Sequence, residues 1–196
     1  MPAPLVARTP ADSSLADDSV PELTVRVYSF PALSAWALQG AETEAARMLH
    51  PVDIELIWVT CTSRSPSPSC DSSRTSADLI VRIVAKALPQ AGEHALGIAG
   101  SSDDYGIAFI FYDRVASLRT HTRLLPVMLG RVMAHEIAHL LLPEQSHAGA
   151  GLMRGQWAAD DLQMTSMNNL GLSAESVQFM QKEALRRILS AHSIRK

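Results

Sequence analysis

The sequence predicts an α/β (α+β) domain in which a mixed, twisted sheet packs against a central buried helix and a C-terminal helix. Two observations predict this fold class. Short runs rich in β-branched and aromatic residues recur up to about residue 112, as is typical of strands. Two longer stretches with helical periodicity follow them, the first apolar on most of its surface and the second amphipathic.

The first half of the chain is predicted to contain three strands and one helix. Residues 24–28 alternate polar and apolar side chains, which is the two-residue period of a strand. Residues 32–49 are rich in Ala, Leu and Glu and predict a helix. Residues 53–60 predict the second strand. The apolar run at 78–84 suits a buried helix as well as a strand, and we expect a strand there.

The second half is predicted to contain two strands, at 95–99 and 106–112, and then the central helix from about Arg123 to Leu142. Pro126 falls in the first turn of that helix, where its missing N–H costs nothing. Small residues recur every four positions along the helix and would let it lie close against the sheet; they are Gly130, Ala134 and Ala138.

The C-terminal helix is expected over residues 174–190, with Ser173 as its N-cap. Residues 1–22 are rich in Pro, Ala, Ser and Asp and predict a flexible segment, which leaves 23–196 as a single domain. Whether residues 1–22 are a propeptide remnant stays open, as does the oligomeric state.

Charge and hydropathy exclude two classes of partner. The net charge of the 196 residues is −3, with no basic cluster, so we expect no nucleic-acid partner. No apolar run approaches the roughly 20 residues that a membrane-spanning helix needs, so we expect no membrane span.

Two cysteines, Cys61 and Cys70, bracket a loop rich in Ser and Pro. A disulfide between them would restrict the unfolded loop and contribute about 2–3 kcal/mol on a chain-entropy estimate. It would also favour an oxidising compartment. We therefore expect a secreted or periplasmic protein in a mature form, with its signal peptide absent from this chain. Two unpaired thiols and a cytoplasmic location remain the alternatives.

The central helix carries the most informative pattern, His135-Glu136-Ile137-Ala138-His139. This is H-E-x-x-H, in which two histidines one helical turn apart point their imidazoles at one Zn²⁺ ion. Glu136 lies beside them on the helix and has the right chemistry to accept a proton from a water molecule. The pattern predicts His135 and His139 as metal ligands and Glu136 as the catalytic base.

The residues after the motif resemble the metzincin clan of zinc peptidases. His147 follows His139 by eight residues, and Met153 follows His147 by six. In metzincins a third histidine ligand and a tight turn bearing a methionine, the Met-turn, come after H-E-x-x-H. The resemblance implies a small zincin-type catalytic domain, with His147 as third ligand and Met153 in the Met-turn. The interval from His135 to Met153 is similar to that of matrixin-like members.

The chain departs from the metzincin pattern at two positions. The glycine that ends the helix in metzincins is replaced by Leu142, and the position of their third histidine is Gln145. Pro143 can end the helix instead, because proline cannot continue it. A slightly longer loop would then bring in His147, so the named family within the clan stays open.

Alternatives remain for residues around the predicted site. If His147 is only a loop histidine, a carboxylate would complete the metal site; the candidates are Glu144, Asp160, Asp161 and Glu175. Met153 also suits the apolar core, and Trp157 suits either a pocket wall or ordinary packing. The remaining histidines have no partner at ligand spacing and are expected to be structural or surface residues; they are His50, His94, His121 and His192.

The resemblance implies a zinc-dependent endopeptidase that acts on a peptide or protein substrate. Zinc would be held by three histidines, with Glu136 as general base. Metzincins bind substrate along an antiparallel strand at the sheet edge, and Tyr105–Phe111 is the candidate for that edge. The competing interpretation is a catalytically silent zinc-binding pseudo-peptidase that acts as a protein-interaction module.

Overall fold

A computed structural model describes residues 20–30, 33–62, 65–66, 68–101, 105–118, 122–143, 146–157 and 170–193. The strands are β1 Glu22–Ser29, β2 Glu55–Thr62, β3 Ser65–Pro66, β4 Asp78–Val84, β5 Gly97–Ser101 and β6 Gly106–Phe111. The helices are α1 Ala35–Leu49, α2 Tyr112–Ser117, α3 Leu125–Leu141 and α4 Ala174–Ser193. The predictions made for residues 1–19, His121, Glu144, Gln145, Asp160 and Asp161 lie outside the described residues.

The strands form one mixed sheet in the order β3-β2-β1-β4-β6-β5. The four central strands are parallel, and both edge strands run antiparallel to their neighbours. Alternate residues of β1, β4 and β6 turn into the core, where they meet apolar side chains of α1 and α3. The predicted α/β class and mixed sheet are therefore confirmed.

The prediction of the edge strand was wrong. Residues 106–111 form β6, which is enclosed between β4 and β5, and the outer antiparallel strand is β5. Both segments were predicted as strands, but the order of strands in a sheet depends on long-range pairing that local periodicity does not encode. Residue type did not distinguish the two, because β5 contains Gly97 and Gly100 and β6 begins with Gly106.

Local signals account for the helix ends. The Ser34 hydroxyl accepts a hydrogen bond from Ala37 N at 3.2 Å, which begins α1. Ser173 Oγ likewise accepts from Ser176 N at 3.1 Å and begins α4, as predicted. Pro143 follows α3, and Leu142 before it is extended, with φ −108° and ψ 157°. Helix α2 was not predicted; it follows β6 directly and begins at Tyr112, which the predicted strand 106–112 had included.

Helices α1 and α3 lie unusually close because glycines face the contact. A Cβ built on Gly130 would lie 2.5 Å from Ala41 O, and one on Gly40 would lie 2.8 Å from Pro126 Cβ. The small-residue stripe of α3 was expected to face the sheet, and for Gly130 that was wrong, because it faces α1. The spacing of small residues along a helix predicts that another element packs closely there, but it does not predict which element that is.

Cys61 and Cys70 form a disulfide at the sheet edge opposite β5. The bridged segment is also held by β1: Arg26 donates to Ser69 O, and the Tyr28 hydroxyl donates to Cys70 O at 3.3 Å. Arg26 itself is buried and pairs with Asp78 at 2.7 Å. None of the described helices is long and apolar enough to cross a membrane.

Arg187 of α4 ties that helix to the end of α3. Its guanidinium donates from Nη2 to Leu140 O at 3.1 Å, from Nη1 to Ser76 O at 3.3 Å and from Nε to Glu183 at 2.9 Å. Its side chain is 3% exposed. Leu140 O belongs to the last turn of α3, whose carbonyls lack partners within the helix. Arg187 therefore holds the end of α3 next to His139.

We expect Arg187→Met to lower the free energy of unfolding by about 2–4 kcal/mol, because the buried carbonyls of Leu140 and Ser76 lose their hydrogen-bond donor. Arg186→Met is the matched control: Arg186 binds the same Glu183 carboxylate, but its side chain is 61% exposed. The control should lose no more than about 1 kcal/mol. Urea unfolding of both variants measures the difference, and equal losses would contradict this role for Arg187.

Candidate metal centre

Three histidines converge at the C-terminal end of α3. His139 Nε2 lies 3.1 Å from His135 Nε2 and 3.0 Å from His147 Nε2. The three ligand atoms all lie within 4.8 Å of one another, an arrangement that could hold a metal ion. The first two are one turn apart on the helix, as predicted, and the third comes from the loop after Pro143.

The tautomer of His135 is set by a backbone carbonyl. Its Nδ1 lies 2.7 Å from Leu152 O, so Nδ1–H donates there and the Nε2 lone pair is free for a metal. This is the outer contact that orients metal-binding histidines in general. Leu152 directly precedes Met153, so the turn that contains the methionine also orients the His135 ring.

Backbone hydrogen bonds, within the turn and to Gly171, hold the turn between residues 148 and 154. Ala148 N donates to Met153 O at 2.7 Å, and Leu152 N donates to Gly171 O at 3.2 Å. Gly151 has φ +78°, and a Cβ there would lie 2.2 Å from Gly171 O, so only glycine fits. Met153 is buried in the apolar core, at 3% exposure. A Cβ built on Gly155 would lie 3.4 Å from Cγ of His147, so Gly155 lies next to that ring.

Glu136 is 5% exposed and lies against the edge strand. A Cβ built on Gly97 would lie 2.7 Å from Glu136 Oε1, so the absence of a side chain at Gly97 makes room for the carboxylate. Burial raises the pKa of Glu136 from 4.5 to about 8. A carboxyl whose pKa lies near neutral pH is suited to accepting and returning a proton.

The two helix histidines are held in the form that binds metal. Burial, together with the smaller effects of the nearby His135 and His147, lowers the pKa of His139 to about 4. Burial also lowers the pKa of His135, against the effect of its bond to Leu152 O. Both imidazoles are therefore neutral at pH 7, which is the state that a metal ligand requires.

The three histidines open onto a cleft of about 1280 Å³. One wall is β5, the floor includes the end of α3, and α4 supplies the other wall. Trp157 lines the cleft while half-buried, with its indole Nε1 donating to Arg154 O at 2.8 Å and its ring edge-on to His135. Both interpretations of Trp157, pocket wall and packing, therefore apply.

The described residues contain one group of three or more potential metal ligands, and Glu175 does not belong to it. Glu175 is exposed in the first turn of α4.

Three features of the site were not predicted from the sequence: the Leu152 carbonyl that binds His135, the space that Gly97 leaves for Glu136, and the cleft wall formed by α4. A carbonyl carries no sequence signal, whereas the glycine and the cationic face of α4 could have been noticed.

Comparison with solved structures identifies the fold. The zinc-dependent peptidase from Methanocorpusculum labreanum is similar with a TM-score of 0.56 and 10% identity, over 80% of this chain and 99% of that one. Metalloproteinase-II from Bacteroides fragilis is similar with a TM-score of 0.53 and 12% identity, over 84% of this chain and 53% of that one.

The chain has a zinc-peptidase fold. This confirms the zincin-type fold that the resemblance implied, and at such low identity the likeness concerns the fold alone. The chain spans about half the length of the Bacteroides fragilis protein. No family model matches the chain, and no curated protein matches it.

We expect Gly97→Ala to lower the free energy of unfolding by about 1–3 kcal/mol, as overpacked sites do. The new methyl would lie 2.7 Å from both Glu136 Oε1 and Phe109 O. Gly100→Ala in the same strand is the control, because a Cβ there meets nothing within 4 Å. The control should change stability by no more than about 0.5 kcal/mol. If chemical denaturation shows equal changes, Gly97 does not make room for Glu136.

Proposed function

We propose that this chain is a zinc-dependent endopeptidase that uses Glu136 as general base. The observation that carries the proposal is the convergence of three imidazole Nε2 atoms beside a buried carboxylate in one cleft. The fold of zinc peptidases supports it. Peptides or proteins would be the substrates.

The donor set fits zinc. Three imidazoles suit this ion, and three protein ligands leave a position open, as in catalytic zinc sites rather than closed structural ones. His135, His139 and His147 would hold it. When bound, zinc would supply a Lewis acid that polarises a carbonyl and lowers the pKa of a water molecule.

Glu136 would move the proton. Its carboxylate would accept a proton from the attacking water and return it to the nitrogen of the leaving amine. Its burial between α3 and β5 keeps bulk water from competing for that proton, while the cleft leaves the carboxylate accessible to a substrate. Gly97 supports this role by leaving space for the carboxylate.

The outer strand β5 would align the peptide. Gly97, Ile98, Ala99 and Gly100 all line the cleft, and β5 is the outermost strand on that side of the described sheet. The backbone groups of β5 that point away from β6 could pair with a substrate strand. Two glycines keep the approach open.

The Cys61–Cys70 disulfide supports an oxidising compartment, secreted or periplasmic.

The metal ligands are tested by zinc content. We expect about one zinc per chain in the wild type after dialysis against a weak chelator. His147→Ala should lower zinc affinity by more than the roughly 10–100-fold that loss of an outer contact costs. His94→Ala is the control, because His94 also lines the cleft but lies outside the three-histidine group. Elemental analysis that finds equal zinc in all three proteins would exclude His147 as a ligand.

The base is tested by turnover. Glu136→Gln should retain zinc and lose at least about 10²-fold in the rate constant for cleavage, the low end of what general-base catalysis contributes. The measurement is single-turnover cleavage of a casein digest, followed by mass spectrometry, with zinc content determined on the same samples. Unchanged turnover in the variant would refute the role of Glu136. Zinc binding without cleavage in the wild type would support the pseudo-peptidase instead.

A further inference from the structure

The α4 wall of the cleft presents one continuous face of the helix. Its lining residues fall at spacings of three and four, the period of a helix face; they are Phe179, Lys182, Glu183, Arg186 and Arg187. Phe179 is 45% exposed. The mechanism proposed above uses none of these side chains, although they adjoin the end of α3 that carries the metal ligands.

This face is cationic. Three of its side chains carry positive charge and one, Glu183, carries negative charge. Glu183 is shared, since its carboxylate accepts from Arg186 Nε at 2.7 Å and from Arg187 Nε at 2.9 Å. One carboxylate therefore compensates two guanidinium groups. Lys182 is exposed and forms no ion pair with any described residue.

The opposite wall does not compensate this charge. The β5 residues that line the cleft are glycine, alanine and isoleucine. Among the described residues that line the cleft, the other carboxylate is Glu136, which is buried on α3 and is committed to the proposed chemistry. A cleft with charge of one sign and apolar walls concentrates ligands of the opposite sign.

We infer that the cleft selects peptides that carry a carboxylate on the side lined by α4, with Lys182 and Arg186 as specificity-determining residues. This inference rests on the proposed peptidase function. Lys182 would bind the carboxylate through its ammonium group. Arg186 would add positive charge nearby while its ion pair with Glu183 stays intact. Phe179 would contact the apolar part of the same substrate residue.

Two sources share this chemistry, an acidic side chain and the C-terminal carboxylate of a peptide. The first experiment separates them. A library of proteome-derived peptides is cleaved by the zinc-loaded protein, and the products are sequenced by mass spectrometry. Enrichment of Asp or Glu at one position indicates the side chain, whereas cleavage at a constant distance from the C-terminus indicates the terminal carboxylate.

The second experiment uses three peptides that differ only at the enriched position, with Glu, Gln or Lys there. If the library instead indicates the C-terminal carboxylate, these peptides are replaced by one peptide with a free C-terminus and the same peptide with an amidated C-terminus. We expect kcat/KM for the carboxylate peptide to exceed that for its neutral partner about 3- to 10-fold, as a partly exposed charge contact allows. Lys182→Gln combined with Arg186→Gln should reduce the ratio to about one, and Lys182→Glu should favour the Lys peptide.

Lys86→Gln is the matched control, because it removes one exposed lysine outside the cleft and should leave the ratio unchanged. The inference is overturned if the wild type shows no preference for the carboxylate, or if the preference survives in the double variant. It is also overturned if Lys86→Gln abolishes the preference as fully as the cleft variants do, since the effect would then be one of net charge.

A binding readout separates this inference from the peptidase proposal. Fluorescence anisotropy of the labelled peptides is measured on zinc-loaded Glu136→Gln protein. Tighter binding of the carboxylate peptide supports the inference even where the wild type cleaves none of the peptides, a result that would refute only the peptidase function. Cleavage by the wild type with equal binding of the carboxylate and neutral peptides overturns only the inference.

Discussion

The site depends on the burial of α3 along nearly its whole length. The helix packs against both the sheet and α1, and its apolar residues fill the core. That burial prevents the helix from rotating or sliding. A shift of one residue would put a side chain in the place of Gly130, where it would clash with Ala41 and Glu44. The two histidines and Glu136 occupy the last turns of a helix whose orientation is determined by packing.

Three buried arginines show how this core accommodates charge. Arg26 pairs with Asp78, Arg131 pairs with Glu44 at 3.0 Å, and Arg187 pairs with Glu183. A buried charge without a partner is costly, so each guanidinium has an ion pair. The first two pairs join distant parts of the chain, whereas Arg187 pairs within α4 and reaches other segments through its hydrogen bonds to Leu140 O and Ser76 O. Glu136 differs, since burial raises its pKa instead. The fold thus keeps structural charges paired and leaves one carboxyl ready to exchange a proton.

The sequence predicted most elements, because periodicity and capping are local. The strand at Asp78–Val84 has the predicted bounds, and α3 and α4 begin within two residues of the expected positions. Two errors concern which element lies next to which: β5 rather than β6 forms the edge, and Gly130 faces α1 rather than the sheet. Such relations depend on contacts between distant segments, which no local pattern specifies.

By itself, the sequence determined the H-E-x-x-H spacing, the end of α3 at Pro143 and the presence of His147 and Met153 downstream, since these follow from residue type and helix geometry. Only the tertiary structure decided that the His147 ring meets the other two, that Leu152 O orients His135, and that α4 forms a cationic wall of the cleft. These depend on long-range packing, which brings a loop, a carbonyl and a helix from separate parts of the chain to one point.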